Sequence, residues 1–396
     1  MAADLDAIRT KWAVPLVEKL DAHSAFGAPW IREAFLKVPR HLFVRRRQVP
    51  PDNAFVPINR ADPSEDDLKE VYNDYAILTR TDPPSSSSQP TVMAWMLNWL
   101  DLKPGMKVLE IGAGTGFNAA LLSVGTGDPS LVHAIDIQPE VIEEAREHLR
   151  DAGFDGVHLR CGDGGHGWPD AAPFDRIIVT AGTPDIPPAW RDQLTGDGVM
   201  VMPFTVPGIG NPGLRLRQEN GHLQGSFLGS MHFMDLRGAY GEWSAPLLGP
   251  TIRPAWNARL AIRGTPRYHF QWDWTRWNYA HLGGLWFSLR SRDWLFGSFS
   301  RDSFMNGKRW TDLHVARRGR LCVAWDYQSL RVFGDPGPAW NFAALIERWK
   351  AAGYPTTGNF AVTLLPDGAA MTDPAPPVWI ERRPSACLEV TPFTPG

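Results

Sequence analysis

The sequence has few cysteines and no long hydrophobic run. Its three cysteines, Cys161, Cys322 and Cys387, lie far apart and show no metal-ligand spacing. This pattern excludes a disulfide framework and a cysteine-based metal site, and it predicts reduced thiols with a buried structural role. No apolar run could cross a membrane, and the polar start MAADLDAIRTKW does not resemble a secretory signal. We therefore expect a cytoplasmic protein without a membrane partner.

The chain also lacks an excess of charge of either sign. A net charge of -3 argues against a nucleic-acid partner, because such proteins neutralise many phosphates. With 43% hydrophobic and 21% charged residues, the 396-residue chain is typical of a globular protein of roughly two or three domains. Tryptophan is unusually frequent, and 12 of the 18 tryptophans lie beyond residue 240. This uneven distribution indicates two unlike parts.

Residues 1–240 predict an α/β domain with a doubly wound sheet. Apolar strands alternate with helices, which favours a parallel sheet covered on both faces. The predicted strands are 107–111, 131–137, 157–161, 176–180 and 198–204, with a helix at 139–152. A hairpin over 214–228, turned at Asn220-Gly221, would add antiparallel edge strands.

The N-terminal part of this domain predicts helices over 5–20, 30–37 and 91–100. Pro15 falls inside the first helix, which should kink or restart there. Residues 48–70 are rich in proline and acidic residues and predict a loop. The segment DPPSSSSQP at 82–90 predicts a turn that opens the next helix.

Residues 241–396 predict a separate α+β domain with a tryptophan-rich core. Short aromatic strands are expected at 285–289, 294–299, 313–317 and 321–325, and a helix at 340–352. Aromatic residues in such a domain usually form its core, although exposed ones would suit peptide binding.

The stretch KVLEIGAGTGF, residues 107–117, carries the clearest chemical signal. A strand leads into three glycines and then a helix, and such a corner lets the backbone approach a nucleotide. The glycines are spaced G-x-G-x-G, and Glu110 lies just inside the strand end. S-adenosylmethionine has no phosphate but carries a sulfonium, an amino group and a ribose, so carboxylates near the corner favour it over a dinucleotide.

Two more carboxylates follow later strands. Asp136 ends the second strand, where it could bind both ribose hydroxyls or cap the next helix. Asp163, just after the third strand, could accept from an adenine amino group or stabilise its turn. His166 is close by, and we interpret it as a polar loop residue, since methyl transfer to a carboxylate needs no base.

The first 240 residues resemble protein-L-isoaspartate O-methyltransferases. Segments in matching order include AFLKVPRHLFV (34–44), VYNDYAILTR (71–80), SQP (88–90), the glycine corner and GDGGHGWPDAAPFDRIIVTAG (162–182). The resemblance implies a Rossmann-like class I fold, S-adenosylmethionine as cofactor and no metal. It also implies that Ser88 is the active-site hydroxyl beside the acceptor carboxylate, although the serine run permits a slip of one residue and a helix-capping role.

The same resemblance implies two further groups of site residues. The cofactor contacts would be Glu110, Gly112, Ala113, Gly114, Thr115, Gly116, Asp136, Ile137, Gly162, Asp163 and Gly164. The substrate contacts would be Ser87, Gln89, Pro90, Thr180 and Ala181.

The length of the chain departs from the usual repair enzyme. The extended form resembles methyltransferases encoded with modified ribosomal peptides such as lanthipeptides and graspetides. This resemblance implies methylation of an aspartate of a cyclised peptide, giving a succinimide (aspartimide) or isoaspartate, with residues 241–396 holding the peptide. The sequence leaves the oligomeric state open, with a monomer favoured. The alternative is general isoaspartate repair. Two further alternatives remain open. The glycine spacing disfavours a nicotinamide oxidoreductase, and the intact cofactor motif disfavours a non-catalytic peptide-binding protein.

Overall fold

The structure is a computed structural model that describes most of the first 241 residues and parts of the remainder. The described residues are 5–23, 25–49, 54–206, 211–219, 222–241, 268–271, 295–305, 308–316, 321–325, 329–334, 344, 346–353, 355–356, 358, 360–365 and 379–392. The chain divides into two compact units. The first comprises 1–203, 215–221 and 233–242, and the second comprises 204–214, 222–232 and 243–396.

The described residues of the first unit form eight α-helices. They are α1 (Leu5–Ile8), α2 (Val14–Ala22), α3 (Pro29–Lys37), α4 (Glu65–Val71), α5 (Pro90–Leu100), α6 (Phe117–Thr126), α7 (Pro139–Asp151) and α8 (Pro188–Asp192). A π-helical turn, Arg9–Ala13, separates α1 from α2, and Pro15 lies in the first turn of α2. The π turn accommodates the proline, because it shifts the backbone hydrogen bonds by one residue, as in the bond from the Val14 amide to the Arg9 carbonyl oxygen. Ile8, Ala13 and Val14 all have helical φ and ψ, so the helix continues through this turn and does not restart at Pro15.

The prediction of a loop over residues 48–70 is wrong. Strands β1 (Arg46–Val49) and β2 (Ala54–Pro57) form an antiparallel hairpin, and α4 begins after Ser64. The Ser64 hydroxyl accepts from the Asp67 amide at 3.2 Å, and three acidic residues occupy the first turn. A capping hydroxyl and negative charge both favour a helix start, and they outweigh the acidic, loop-like composition.

The serine run is also more ordered than predicted. Strands β3 (Ile77–Thr81) and β4 (Pro84–Ser87) pair antiparallel, with Ile77 opposite Ser87. The turn prediction for 82–90 is therefore wrong for Ser85 to Ser87, because pairing with β3 holds them extended. Helix α5 follows three residues later and begins at Pro90.

The central sheet is parallel, and its strands follow the order β7-β6-β5-β8-β9. These strands are β5 (Val108–Ile111), β6 (Val132–Asp136), β7 (His158–Cys161), β8 (Phe174–Val179) and β9 (Leu194–Pro203). The strand order reverses between β5 and β8, and in open parallel sheets ligands bind at the carboxyl ends of the strands beside such a reversal. The predicted Rossmann-like α/β fold of this domain is confirmed.

The core of the first unit packs helices against this sheet. On α7 the predicted face is buried, since Val141, Ile142, Ala145 and Leu149 are each at most 4% exposed. All four residues of β5 are buried, which is typical of a central strand covered on both faces. Among the described residues, no helix is long and apolar enough to cross a membrane.

In the part of the chain that the structure describes, ten further strands lie partly or wholly in the second unit. They are β10 (Asn211–Glu219), which the unit division cuts after Leu214, β11 (His222–Met231), β12 (Tyr268–Gln271), β13 (Leu295–Met305), β14 (Lys308–Ala316), β15 (Leu321–Trp325), β16 (Ser329–Gly334), β17 (Phe360–Leu364), β18 (Trp379–Arg382) and β19 (Cys387–Pro392). Strands β12 to β16 form an antiparallel sheet in the order β12-β16-β15-β14-β13. The strand predicted at 285–289 lies outside the described residues.

The hairpin predicted as an edge of domain 1–240 is not an edge. Its second strand, β11, pairs with β17, which pairs with β19, which in turn pairs with β18. Three strands from residues 360–392 thus continue the sheet beyond the hairpin. Their pairing satisfies backbone groups that an open edge would expose. A boundary at residue 240 therefore does not separate the strands of the two predicted domains. Of the helix predicted at 340–352, residues 344 and 346–351 are described as helical, with Ile346 and Trp349 buried.

Candidate cofactor and acceptor site

The glycine turn follows β5 at the point where the strand order reverses. The amides of Gly112 and Ala113 both donate to the carbonyl oxygen of Ile135, at 2.8 and 2.9 Å. Gly112 has φ +96°, and a Cβ built on it would lie 2.7 Å from Thr180 Oγ1. The left-handed backbone and the neighbouring hydroxyl therefore both require glycine at this position.

Gly114 brings the turn close to the serine segment. Its φ is +51°, its amide donates to Asp136 Oδ2 at 3.0 Å, and a Cβ built on it would lie 3.5 Å from the Ser86 carbonyl oxygen. The end of β4 thus faces the glycine turn. The residues predicted to bind cofactor and the residues predicted to bind acceptor meet at one place in the first unit.

A buried histidine supports the turn from α7. His148 Nδ1 lies 2.9 Å from the Thr115 carbonyl oxygen, and Arg45 Nε donates to His148 Nε2 at 3.1 Å. Because the guanidinium can only donate, the imidazole must carry its proton on Nδ1 and donate it to Thr115. Burial lowers the pKa of His148 to about 4, so the ring stays neutral. Gly116, with φ +84°, packs its α-carbon close to α7 and is the N-cap of α6.

Glu110 lies beneath the turn and is fully buried. Its Oε1 accepts from Asn118 Nδ2 at 2.7 Å, whereas its Oε2 is buried without a hydrogen-bond partner among the described residues. Burial, and next the charge of Asp136, raise the pKa of Glu110 to about 8, against the hydrogen bond from Asn118. A buried carboxyl with a free oxygen is suited to a cationic or donor group brought by a ligand.

Replacing Glu110 with glutamine should flatten the pH dependence of stability in the ligand-free protein. The pKa of Glu110 is raised from 4.5 to about 8 on folding, so between these values the folded state binds more protons. Raising the pH through this window should therefore destabilise the unmodified protein, by on the order of a few kcal/mol.

Urea unfolding at pH 5, 6.5 and 8 would measure the effect. Glu110→Gln should lose less stability over this range than the unmodified protein. The pKa of Asp136 is also raised by burial, so a smaller dependence should remain in the variant. Identical slopes for the two proteins would contradict the assignment of the raised pKa to Glu110.

Asp136 ends β6 with its carboxylate turned toward the glycine turn. Oδ2 accepts from the Gly114 amide, and Oδ1 accepts from the Gln138 amide at 3.1 Å. Gln138 is the residue that precedes α7, so Asp136 shapes the entry to this helix without being its N-cap. The next residue, Ile137, leaves 36% of its surface exposed, as few large apolar side chains do among the described residues. An exposed apolar side chain after the acidic residue would suit one face of a nucleoside base.

Asp163 is engaged by two backbone amides. Its Oδ1 accepts from Gly165 and its Oδ2 from Ala239, both at 2.8 Å. The turn-stabilising interpretation of Asp163 is therefore realised, while its predicted contact with adenine stays a prediction. On either side, the Gly162 amide donates to the Asp136 carbonyl oxygen, and a Cβ on Gly164 would lie 2.6 Å from Ile111 Cγ2.

Neither serine at the end of β4 caps α5. The residue before α5 is Gln89, which makes no side-chain cap, and Asp74 accepts from the Thr91 amide at 2.9 Å instead. Ser87 is buried, whereas Ser88 is half-buried, and its hydroxyl has no hydrogen-bond partner in the part of the chain that the structure describes. The capping interpretation of Ser88 is therefore disfavoured. Pro90, in the first turn of α5, is buried.

Thr180 serves the turn itself. Its hydroxyl lies 2.6 Å from the Gly112 carbonyl oxygen and 3.1 Å from that of Ile111, so its one proton is used within the protein. Ala181 follows half-buried, and its carbonyl oxygen accepts from Thr183 Oγ1 at 2.9 Å. The predicted substrate contacts of Thr180 and Ala181 stay predictions, with backbone support as the observed role of Thr180.

Several residues at the site were missed by the sequence analysis. Asn118 could have been found, because it is the one polar residue at the start of the apolar helix FNAALL. Asp74 lies in VYNDYAILTR, a segment of the family resemblance, but it was not assigned to the site, and Arg237 carried no local signal. Arg237 Nη2 donates to the Pro84 carbonyl oxygen at 3.3 Å, and its positive charge lowers the pKa of Asp136 against the effect of burial. Both residues contact parts of the site that are distant from them in sequence, so neighbouring residues gave no indication of these contacts.

The thiol and the imidazole near the site are both at the surface. The prediction that Cys161 is buried is wrong: Cys161 is exposed, because it ends β7 at the edge of the parallel sheet. The side chain of His166 is 67% exposed, and its Nε2 lies 3.9 Å from Asp163 Oδ2. This exposure agrees with its interpretation as a polar loop residue.

These residues fit S-adenosylmethionine. The glycines leave the backbone open, Glu110 offers an oxygen without a partner, and Asp136 offers a carboxylate at the end of β6. Carboxylates at such positions suit an amino group and ribose hydroxyls, whereas their negative charge would repel the phosphates of a dinucleotide.

Comparison with known proteins gives a consistent family assignment. The family described as Protein-L-isoaspartate(D-aspartate) O-methyltransferase (PCMT) matches residues 12–239. Protein-L-isoaspartate O-methyltransferase of Pyrococcus horikoshii is 35% identical over 230 residues, which cover 57% of this chain and 92% of that protein. The protein of the same name from Thermotoga maritima is 31% identical over 215 residues, which cover 54% of this chain and 62% of that protein.

A solved structure named protein-L-isoaspartate O-methyltransferase shares the fold. The alignment has a TM-score of 0.51 and 24% identity, and it covers 89% of this chain and 96% of the other.

Proposed function

The chain belongs to the protein-L-isoaspartate(D-aspartate) O-methyltransferase family, and from this premise we propose that it methyl-esterifies the free carboxylate of isoaspartyl residues in proteins and peptides. As a member of this family it is a carboxyl O-methyltransferase, and its cofactor is S-adenosylmethionine. The observation that carries the proposal is that the serine segment, residues 85–88, lies close to the glycine turn. A Cβ built on Gly114 would lie 3.5 Å from the Ser86 carbonyl oxygen.

The protein's contribution to this reaction is alignment and exclusion of water. When bound, S-adenosylmethionine supplies an electrophilic methyl group on a sulfonium centre. The acceptor carboxylate is already charged, so no base has to remove a proton from it. Ser88 would donate a hydrogen bond to one carboxylate oxygen and leave the other directed at the methyl group. The products are the methyl ester and the demethylated cofactor.

The ester then needs little help from the enzyme. Methanol leaves an ester far more readily than hydroxide leaves an acid. The amide nitrogen of the following residue can attack the ester, close the five-membered succinimide ring and expel methanol. Hydrolysis of the ring then gives aspartate or isoaspartate, which is the chemistry of isoaspartate repair.

A second candidate is methylation of an aspartate in a cyclised, ribosomally made peptide. The observation that favours it is the 12 tryptophans beyond residue 240, which a protein acting on any exposed isoaspartate would not need. A ring has already lost conformational entropy that a linear chain still has to lose, roughly 1–2 kcal/mol per fixed residue. Residues 241–396 could therefore select a cyclised peptide by shape.

Three matched peptides would separate these functions. They share one sequence and carry isoaspartate in a linear chain, aspartate in a linear chain, or aspartate in a ring. We expect fast methylation of the isoaspartyl peptide and little of the linear aspartyl one, measured by methyl transfer and intact mass. Methylation and loss of methanol confined to the cyclised peptide would establish the second candidate. Cofactor binding without turnover on any peptide would leave a non-catalytic peptide-binding protein.

A further inference from the structure

Arg40 is buried at the centre of three segments that carry the family resemblance. It lies in VPRHLFV, and its side chain reaches YNDY and SQP. Arg40 is 1% exposed, and it donates from Nη1 to the Asn73 carbonyl oxygen at 3.0 Å and from Nη2 to that of Tyr75 at 3.3 Å. Nη2 also donates to the Ser88 carbonyl oxygen at 3.1 Å. All three acceptors are main-chain oxygens.

Burying the charged guanidinium of Arg40 costs desolvation free energy, and its three hydrogen-bond acceptors are neutral carbonyls. Burial lowers the pKa of Arg40 to about 10, so the group is still charged at neutral pH. The Phe117 ring, 5.6 Å from its central carbon, and the charge of nearby Asp74 offset part of the desolvation. Hydrophobic residues would often fill such a space at lower cost, which makes the fixed geometry the feature to explain.

Asp74 completes the attachment from the other side. It lies between the two residues whose carbonyls Arg40 holds. It accepts from the Thr91 amide at 2.9 Å, from Thr91 Oγ1 at 2.7 Å and from Gln89 Nε2 at 3.4 Å. The carbonyl of Ser88 is therefore fixed by Arg40, and the residues that follow it are fixed by Asp74. Rotation about χ1 is the main freedom left to the Ser88 hydroxyl.

We propose that Arg40 is a positioning residue for methyl transfer, which acts by holding the Ser88 carbonyl so that the Ser88 hydroxyl meets the acceptor carboxylate. The proposal rests on the proposed function of Ser88. Arg40 is too deeply buried to contact a peptide. Its effect on the reaction must therefore pass through the backbone of the serine segment.

Arg40→Lys is the decisive variant, because it keeps the charge but loses the planar fork that reaches three carbonyls. We expect kcat on the isoaspartyl peptide to fall by about 10- to 100-fold, with cofactor Kd within about twofold of the unmodified protein. Arg176→Lys is the matched control. Arg176 is also buried. Its Nη2 and Nε donate to the Asp101 carbonyl oxygen, at 2.8 and 3.1 Å, and this contact is not part of the glycine turn. The Arg176→Lys variant should have a lower Tm than the unmodified protein and a kcat within about twofold of it.

A double-mutant cycle with Ser88→Ala tests the route of the effect. If Arg40 acts through Ser88, Arg40→Lys should cost little further turnover once the hydroxyl is absent. Should Arg40→Lys fail to fold, Asp74→Asn disturbs the same attachment and should show the same split between kcat and cofactor Kd.

Three results would overturn the proposal. Equal losses of kcat for Arg40→Lys and Arg176→Lys would indicate a merely structural role. The same loss with and without the Ser88 hydroxyl would show that Arg40 acts elsewhere. Absence of methyl transfer to the isoaspartyl peptide by the unmodified protein would instead overturn the proposed function, and this assignment with it.

Discussion

Asp136→Ala should weaken binding of S-adenosylmethionine by about 10- to 100-fold or more, as measured by calorimetry. Asp136 lies at the carboxyl end of β6, where a carboxylate can accept from both ribose hydroxyls. Each charge-assisted hydrogen bond lost would cost roughly 1.5–3 kcal/mol. The same side chain accepts from the Gly114 amide, so its removal should also loosen the turn over which the cofactor lies.

Asp128→Ala is the matched control for this change. Asp128 also accepts a backbone amide, from Ser130 at 2.8 Å, but it lies at the opposite end of β6 from Asp136. The control should leave cofactor affinity unchanged, although it removes the same kind of turn contact. Unchanged affinity in Asp136→Ala would mean that the ribose binds elsewhere.

Ser88→Ala should depress turnover by about 10- to 100-fold and leave cofactor affinity and Tm close to those of the unmodified protein. The reason is that one hydrogen bond to a charged acceptor contributes roughly 1.5–3 kcal/mol, and here it would be made only to the acceptor. Because Asp74 satisfies the start of α5, removal of the Ser88 hydroxyl should not uncap that helix. Measuring kcat, cofactor Kd and Tm on one variant separates an orienting role from a structural one.

Ser87→Ala is the control for Ser88→Ala, since the serine run leaves the alignment with the family open by one residue. The Ser87 hydroxyl is buried without a hydrogen-bond partner among the described residues. Its removal should be neutral or slightly stabilising, because an unsatisfied buried group is lost. Full turnover in Ser88→Ala together with loss of turnover in Ser87→Ala would move the acceptor hydroxyl to Ser87.

The sequence alone determined the sheet domain and the position of the cofactor corner. Periodic apolar segments and punctuating glycines are local signals, so the strands of the parallel sheet, the amphipathic α7 and the glycine turn after β5 could be predicted from neighbouring residues. A strand that pairs across a large sequence gap has no such signal. For this reason β17 to β19 could not be predicted as an extension of the hairpin.

The site shows the same division in its individual side chains. Glu110, Asp136 and Asp163 were found because each lies at or just after the end of a predicted strand. Only the tertiary structure decided that Asp163 holds backbone amides from two segments and that Glu110 has a raised pKa.

The surroundings of Ser88 were decided entirely by tertiary contacts. Arg40 and Asp74 fix the serine segment from 48 and 17 residues away in sequence, through Arg40's bond to Ser88 and Asp74's bond to Thr91. A sequence pattern records which residue types are present, but a guanidinium finds its carbonyl acceptors only when packing has buried it and removed the competing water. Local chemistry therefore determined where the cofactor turn forms, and long-range burial determined how the acceptor serine is held beside it.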